Sequence, residues 1–285
     1  MPAAEQVTDP CAFHGEGPVW DRAAGVVRWV DMLRGDVLAM APEGGAVPRI
    51  HVGDVAACVR PRERGGLVMA VERGFALMAA DGEITTLPEL WRDPEIRMND
   101  GGCDPRGRFY CGSMAYDAAP GRGALHRLDP DGSTSTVFTG VTISNGLAWS
   151  PDGATAYYVD SPTQRVDAFD FDGDTATFTA RRTVVEIPAG RGMPDGITVD
   201  AEGGLWVALW GGGAVHRYGP EGTLDVVVEL PVRQVTACTF GGAALTDLFV
   251  TTSRQDVPPG EQPGAGALFR FRPGVAGLPA ATFAG

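Results

Sequence analysis

The sequence predicts an all-β fold, a six-bladed β-propeller in a single domain spanning residues 1–285. Two observations predict it: a short sequence pattern recurs six times, and 40 glycines and 22 prolines interrupt every stretch that could form a long helix. The lack of amphipathic helical segments argues against a doubly wound α/β sheet or a (β/α) barrel. A solenoid would share the periodicity, but it would need capping repeats that the sequence lacks.

The repeat has four clear copies and two weaker ones. Each clear copy starts with an oxygen-bearing side chain, passes through a short strand, turns at a Ser- or Asp-led loop ending in Gly, and enters a longer aromatic-rich strand. The clear copies are EGPVWDRAAGVVRWVDM, NDGGCDPRGRFYCGSM, NGLAWSPDGATAYYVD and DGITVDAEGGLWVALW, which begin at Glu16, Asn99, Asn145 and Asp195. The weaker copies begin at Ala57 and Thr236. Spacings of roughly 40 to 50 residues are typical of propeller blades with four strands each.

The first strand of each blade is expected to line the central channel, so the six starting residues should meet at one mouth of it. This ring comprises Glu16, Ala57, Asn99, Asn145, Asp195 and Thr236. Asn145-Gly146 and Asp152-Gly153 both resemble hairpin turns, yet only one short strand fits between them. Because Asp152-Gly153 already supplies the hairpin, Asn145 is predicted to face the channel.

A ring of side-chain oxygens without repeated His or Cys favours a hard cation. Glu16, Asn145 and Asp195 are the predicted metal ligands, and Asn99 could add a fourth oxygen. Calcium is the first choice of metal, with magnesium, manganese, zinc and iron(II) as alternatives. Calcium takes about six to eight oxygen ligands, so water or substrate must complete the shell, and a cation held in this way can act as a Lewis acid.

Charge and composition narrow the range of partners. The chain has 23 Lys and Arg against 36 Asp and Glu, a formal charge of −13, which disfavours nucleic acid. The first residues lack the pattern of a signal peptide, and no apolar run is long enough for a membrane span. We therefore expect a cytoplasmic protein without a membrane partner, monomeric or weakly dimeric. The five cysteines contain no C-x-x-C motif and are expected to be reduced, buried thiols.

Several of these motifs, in this order, resemble the regucalcin/senescence-marker-protein/gluconolactonase family over nearly the whole chain. They are GEGPVWD, RMNDGGCDPRGRFYCGSM, ISNGLAWSPDGATAYYVDS, PDGITVDAEGGLWVALW and GALFRF. The resemblance implies a six-bladed propeller that binds a divalent metal through Glu16, Asn145 and Asp195. It also implies substrate contacts from Arg97, Asn99 and Asp117, where Asp117 replaces the Glu of some relatives. Asp100, next to Asn99, is assigned to the same substrate mouth.

The resulting hypothesis is a metal-dependent lactonase that acts on a sugar-acid lactone. The cation would polarise the lactone carbonyl, and Asp195 is the candidate general base, with a water held by the cation as the alternative. Arg97 and Asn99 would hold ring hydroxyls. Two alternatives stay open, an organophosphate or ester hydrolase at the same metal and a non-catalytic calcium-binding protein. His14, two residues before Glu16, could be a ligand or base, although a structural role is the simpler expectation.

Overall fold

A computed structural model describes residues 3–285 and contains six antiparallel sheets of four strands, which confirms the predicted propeller. Strand β1 (Glu5–Gln6) belongs to the last blade. Blades 1 and 2 consist of β2 (Gly15–Asp21), β3 (Val26–Asp31), β4 (Asp36–Met40) and β5 (Arg49–His51), then β6 (Ala56–Pro61), β7 (Leu67–Val71), β8 (Gly74–Met78) and β9 (Ile84–Thr86). Blades 3 and 4 consist of β10 (Ile96–Cys103), β11 (Phe109–Ala115), β12 (Gly123–Leu128) and β13 (Thr134–Val141), then β14 (Ser144–Trp149), β15 (Thr155–Asp160), β16 (Arg165–Asp172) and β17 (Thr177–Glu186).

Blade 5 consists of β18 (Met193–Val199), β19 (Leu205–Trp210), β20 (Ala214–Tyr218) and β21 (Leu224–Glu229), and blade 6 adds β22 (Val235–Gly241), β23 (Asp247–Thr252) and β24 (Phe269–Phe271) to β1. Two short 3-10 helices, Met32–Arg34 and Ser161–Thr163, follow the second strands of blades 1 and 4. Within residues 3–285, no helix is long and apolar enough to cross a membrane.

The ring of blades is closed by the pairing of β1 with β24. Glu5 lies opposite Arg270 and Gln6 opposite Phe269 in an antiparallel register. The Arg270 side chain also donates a hydrogen bond to the Glu5 carboxylate, with an Nε to Oε1 distance of 2.8 Å. Blade 6 is therefore built from two widely separated parts of the chain, and neither part completes it alone.

The six inner strands, β2, β6, β10, β14, β18 and β22, surround the channel, because each contacts the inner strands of both neighbouring blades. Each of them also contains a β-bulge near its predicted starting residue. In β14, Asn145 and Gly146 together face the single residue Val159 of β15. Asn145-Gly146 is therefore a bulge rather than a turn. A bulge redirects the side chains beside it, which is why bulges are common next to functional sites.

Large apolar side chains fill the spaces between adjacent blades. The Trp206 and Phe240 rings, from blades 5 and 6, meet edge to face at 5.8 Å. The Tyr110 and Trp149 rings, from blades 3 and 4, lie 5.6 Å apart. This packing agrees with the repeated aromatic residue in the sequence pattern and fixes the angle between blades. All five cysteines are free, and four of them are buried.

Candidate metal and substrate site

A cavity of about 190 Å³ opens at the end of the channel where the inner strands begin. Its polar wall contains five of the predicted site residues, Glu16, Arg97, Asn99, Asn145 and Asp195. Its apolar wall is formed mainly by Met114, Tyr116, Ile143, Met193 and Trp210. The convergence predicted from the repeat register is thus present for these five residues, which come from blades 1, 3, 4 and 5.

A larger cavity of about 390 Å³ lies where the inner strands end. Among the described residues, Arg60 and Asp152 are the only charged side chains in its lining, and the other lining residues are mostly apolar. It therefore lacks the converging carboxylates that a divalent cation requires. The smaller cavity is the better candidate for chemistry, because it combines several carboxylates with hydrogen-bond donors.

A chain of hydrogen bonds orients the amides of the polar wall. Arg97 Nη1 donates to Asn99 Oδ1 at 2.7 Å, and Asn99 Nδ2 donates to Asn145 Oδ1 at 3.2 Å. Asn145 Nδ2 in turn donates to Ser161 Oγ at 2.8 Å. The Asn145 amide oxygen has two lone pairs, and the hydrogen bond from Asn99 uses one of them. The second lone pair is available to a further partner.

Glu16 and Asp195 are buried together in the same cavity, with 3% and 4% of their surface exposed. Glu16 Oε2 accepts a hydrogen bond from the Gly17 amide at 2.9 Å. Asp195 Oδ1 is fully buried and has no hydrogen-bond partner among the described residues. An unpaired carboxylate oxygen in such a place costs free energy unless a cation or a proton satisfies it.

Burial and the neighbouring acids raise the pKa values of both carboxyl groups. Burial and the neighbouring Asp100 carboxylate raise the pKa of Glu16 to about 8. Burial, Glu16 and Asp100 raise the pKa of Asp195 well above its ordinary range. Arg97 is the positive group that opposes both shifts. Without a cation, the folded protein therefore favours the protonated forms of these acids.

Glu16, Asn145 and Asp195 fit a hard divalent cation. They offer two carboxylates and one amide oxygen, and the orphaned Asp195 Oδ1 is an atom that a cation would satisfy. Within residues 3–285, no three His, Cys, Asp or Glu side chains form a metal site by themselves. The candidate set differs from such a cluster because its third oxygen comes from an amide, so substrate or water must complete the shell.

Asp100 and Asp117, also predicted to contact substrate, lie outside the cavity lining. Asp100 is buried and lies one residue further along β10 than Asn99. Its Oδ1 accepts a hydrogen bond from the Gly101 amide at 2.7 Å. Asp117 is exposed at the turn after β11, where its carboxylate accepts a hydrogen bond from the Ala119 amide at 2.9 Å. Its neighbours Tyr116 and Ala118 do line the cavity. The structure thus brings the turn, but not the Asp117 carboxylate, to the mouth.

Sequence reasoning missed a second set of cavity residues at the ends of the second strands. Tyr116 and Ser161 directly follow β11 and β15, and Trp210 ends β19. Because these strands run antiparallel to the inner strands, their ends return to the same mouth. The repeat gives only an approximate signal for them, since Tyr116, Ser161 and Trp210 lie 17, 16 and 15 residues after Asn99, Asn145 and Asp195.

His14 also lies on the cavity wall, just before β2. Its Nδ1 is 2.8 Å from Ser253 Oγ, and its ring meets the Trp210 ring edge to face at 5.7 Å. Burial, and then the positive charge of Arg97, lower the pKa of His14 to about 3. The imidazole is therefore neutral at physiological pH.

The raised carboxyl pKa values predict that cation binding depends on pH. Calcium must displace protons from Glu16 and Asp195, so its affinity should fall as the pH drops below about 8. Folding raises the pKa of Glu16 from 4.5 to about 8, so its contribution to the stability of the metal-free fold declines as the pH rises through this window. We therefore expect calcium to raise Tm more at pH 8.5 than at pH 6.

Calorimetric titration in buffers of different ionisation enthalpy would count the protons released on calcium binding. More protons should be released at pH 6 than at pH 9. Equal affinity and no proton release across this range would contradict the assignment of both carboxylates to the cation.

Comparison with known proteins identifies similar chains over the whole fold. The family model described as the SMP-30/gluconolactonase/LRE-like region matches residues 14–254. Regucalcin from Oryctolagus cuniculus is 38% identical over 283 residues, which cover 95% of each chain. A solved luciferin-regenerating enzyme is 29% identical with a TM-score of 0.91 and full coverage of both chains. A calcium-binding protein, regucalcin, from Agrobacterium tumefaciens is 28% identical with a TM-score of 0.93, covering 99% of this chain and 98% of that one.

Proposed function

Because the chain belongs to the SMP-30/gluconolactonase/LRE-like family, we propose that it is a divalent-metal-dependent hydrolase that opens sugar-acid lactones. The observation that carries the proposal is the buried Asp195 Oδ1, which has no hydrogen-bond partner within residues 3–285 and shares a cavity with Glu16, Asn145 and the hydrogen-bond donor Arg97. Glu16, Asn145 and Asp195 would hold a cation without the help of Arg97. The positioned guanidinium beside them is a feature that a substrate would use.

The proposed cation is held by Glu16, Asn145 and Asp195, with calcium as the first candidate. When bound, it would supply Lewis-acid polarisation of the lactone carbonyl. The orientation of the Asn145 amide favours this ligand set, since Ser161 and Asn99 hold its nitrogen and oxygen in fixed places.

Asp195 is the proposed general base. It would take a proton from the attacking water as the water oxygen bonds to the carbonyl carbon. The ring C–O bond then breaks, and the proton returns to the ring oxygen, so that the product is an open hydroxy acid. A buried carboxylate is a stronger base than an exposed one, although a bound cation would offset part of this gain.

Arg97 and Asn99 are proposed to orient the substrate. Arg97 Nη1 donates to Asn99 Oδ1, the Met98 carbonyl and Met32 Sδ, which fixes the guanidinium. Its Nη2 has no hydrogen-bond partner among the described residues and is not fully buried, so it can donate to a substrate oxygen. Asp117 stays a proposed contact for the part of the substrate nearest the solvent, and Asp100 a proposed support below the cavity.

Hydrolysis of an ester or organophosphate is the second candidate, and the apolar wall favours it. Met193 and Trp210 line the cavity and would accept an apolar substituent better than a hydroxyl group. The polar wall, with its guanidinium and amides, favours a substrate rich in hydroxyls. The test must therefore include both substrate classes.

A pH-indicator assay of acid release tests the proposal. Metal-stripped protein is refilled separately with calcium, magnesium, manganese, zinc or iron(II), and each form is given aldonolactones, simple esters and an organophosphate. We expect metal-dependent turnover of aldonolactones, with the metal-free protein as the control. Turnover of esters alone would favour the second candidate. Tight calcium binding without turnover of any substrate would leave a non-catalytic calcium-binding protein.

A further inference from the structure

His14 is held on the cavity wall from three sides. Its backbone N–H donates to Asp31 Oδ1 at 2.9 Å, its Nδ1 contacts Ser253 Oγ, and the Trp210 ring packs against its edge. Only 6% of the residue is exposed. A polar ring fixed in this way loses little conformational freedom when a ligand binds, which is the property of a preorganised contact.

The surroundings of Ser253 determine which ring nitrogen of His14 carries the hydrogen. Ser253 Oγ accepts a hydrogen bond from the Gln255 amide at 2.9 Å and lies 3.3 Å from the Phe13 carbonyl oxygen. The hydroxyl has one hydrogen. When it donates this hydrogen to that carbonyl, His14 Nδ1 is the donor to Ser253, and Nε2 carries the lone pair of the ring.

Nε2 is free to meet a ligand. It makes no hydrogen bond to any residue between 3 and 285, and it is not among the fully buried polar atoms, while His14 itself lines the cavity. The carboxylates of Glu16 and Asp195 are assigned to the cation. Nε2 is then a neutral acceptor that faces the substrate space, and Arg97 Nη2 supplies a donor in the same cavity.

We propose that the Ser253 hydroxyl donates to the Phe13 carbonyl and that His14 Nε2 accepts a hydrogen bond from a ring hydroxyl of the substrate, so that His14 selects hydroxylated lactones over unsubstituted ones. This inference rests on the proposed lactonase function and adds a specificity-determining residue to it. No proton is transferred to His14. The substrate hydroxyl donates to Nε2, and leaving it unpaired in the closed cavity would cost affinity for the transition state.

Two substitutions separate the roles of the two ring nitrogens. His14→Asn places an amide near the position of Nδ1, so it keeps a partner for Ser253 but removes the acceptor at Nε2. His14→Gln places an amide near the position of Nε2 and restores an acceptor there. The readout is the ratio of kcat/KM for D-glucono-δ-lactone to that for δ-valerolactone, which lacks the hydroxyls.

We expect His14→Asn to lower this ratio about 5- to 30-fold, through loss of turnover of the hydroxylated lactone alone. His14→Gln should stay within about threefold of the wild type, since it still offers an acceptor. Thermal unfolding with and without calcium checks that both variants keep the fold and the cation site. Equal losses on both lactones, or a loss in the Gln variant as large as that in the Asn variant, would overturn the proposal.

Binding of a lactam separates this proposal from the proposed function. D-glucono-δ-lactam carries the same hydroxyls but resists hydrolysis, and δ-valerolactam is its unsubstituted control. If the wild type hydrolyses no lactone, the lactonase proposal fails, yet calorimetry with the two lactams still tests His14. Weaker lactam binding in His14→Asn alone would support the selective contact, and the absence of any preference for the hydroxylated lactam in the wild type would exclude it.

Discussion

Replacing Asp195 by Asn should abolish metal-dependent lactone turnover, with a loss in kcat of at least about 10³-fold. The substitution keeps the size of the side chain but removes a proposed cation ligand and the proposed base. It should also remove the increase in Tm that we expect from calcium. In the metal-free protein it should have the opposite effect and raise Tm by roughly 2 to 6 °C, because a neutral amide replaces a buried acid whose Oδ1 has no hydrogen-bond partner among residues 3–285.

Asp167→Asn is the matched control for this prediction. Asp167 is equally buried, but it lies on β16 outside the cavity and pairs with Arg165 and Arg181. Its substitution should lower Tm and leave calcium binding intact. If Asp195→Asn lowered the Tm of the metal-free protein as Asp167→Asn is expected to do, the Asp195 carboxyl group would not destabilise the metal-free fold.

Replacing Gly146 by Ala should destabilise the fold by about 3 kcal/mol and disrupt the site at the same time. A Cβ at this position would lie 2.6 Å from the Asp195 carbonyl oxygen and 2.8 Å from the Ile197 amide nitrogen. Both contacts involve the backbone of β18, which cannot rotate away. The inner strands of blades 4 and 5 would separate, and the Asn145 and Asp195 side chains would move apart with them.

Gly173→Ala provides the comparison, since a Cβ there meets only side-chain atoms at 3.7 Å or more and the backbone needs no left-handed conformation. Its free energy of unfolding should change by less than about 0.5 kcal/mol. Urea unfolding and calcium titration of both variants give the measurement. A Gly146→Ala protein with wild-type stability and calcium affinity would mean that the blades are not in close backbone contact at the site.

The repeat register predicted the blades and most of the polar wall, because one inner strand per blade must line the channel. Asn99, Asn145 and Asp195 occupy equivalent places in their bulges. Glu16 precedes its bulge, which falls at Gly17 and Pro18, and this accounts for the extra residue between Glu16 and the following turn. Glu16 still lines the cavity, although its register differs by one residue.

The remainder of the site depends on contacts that spacing along the chain does not encode. The contact between His14 and Ser253 joins blades 1 and 6 across 239 positions in the sequence. The exposed carboxylate of Asp117 illustrates the reverse case. The motif predicted that Asp117 lies near the mouth. In the turn after β11, however, its carboxylate accepts a hydrogen bond from the backbone amide of Ala119.

The pairing of β1 with β24 has a consequence for the nascent chain. Glu5 leaves the ribosome long before Arg270, so β1 has no β24 to pair with while the intervening blades are synthesised. Until the two strands pair, the sheet that contains β22 and β23 lacks its outer edge and the ring stays open. The acids of blades 1 and 5 therefore need not be crowded together during synthesis. We expect their mutual repulsion to arise at closure, when the proposed cation would relieve it.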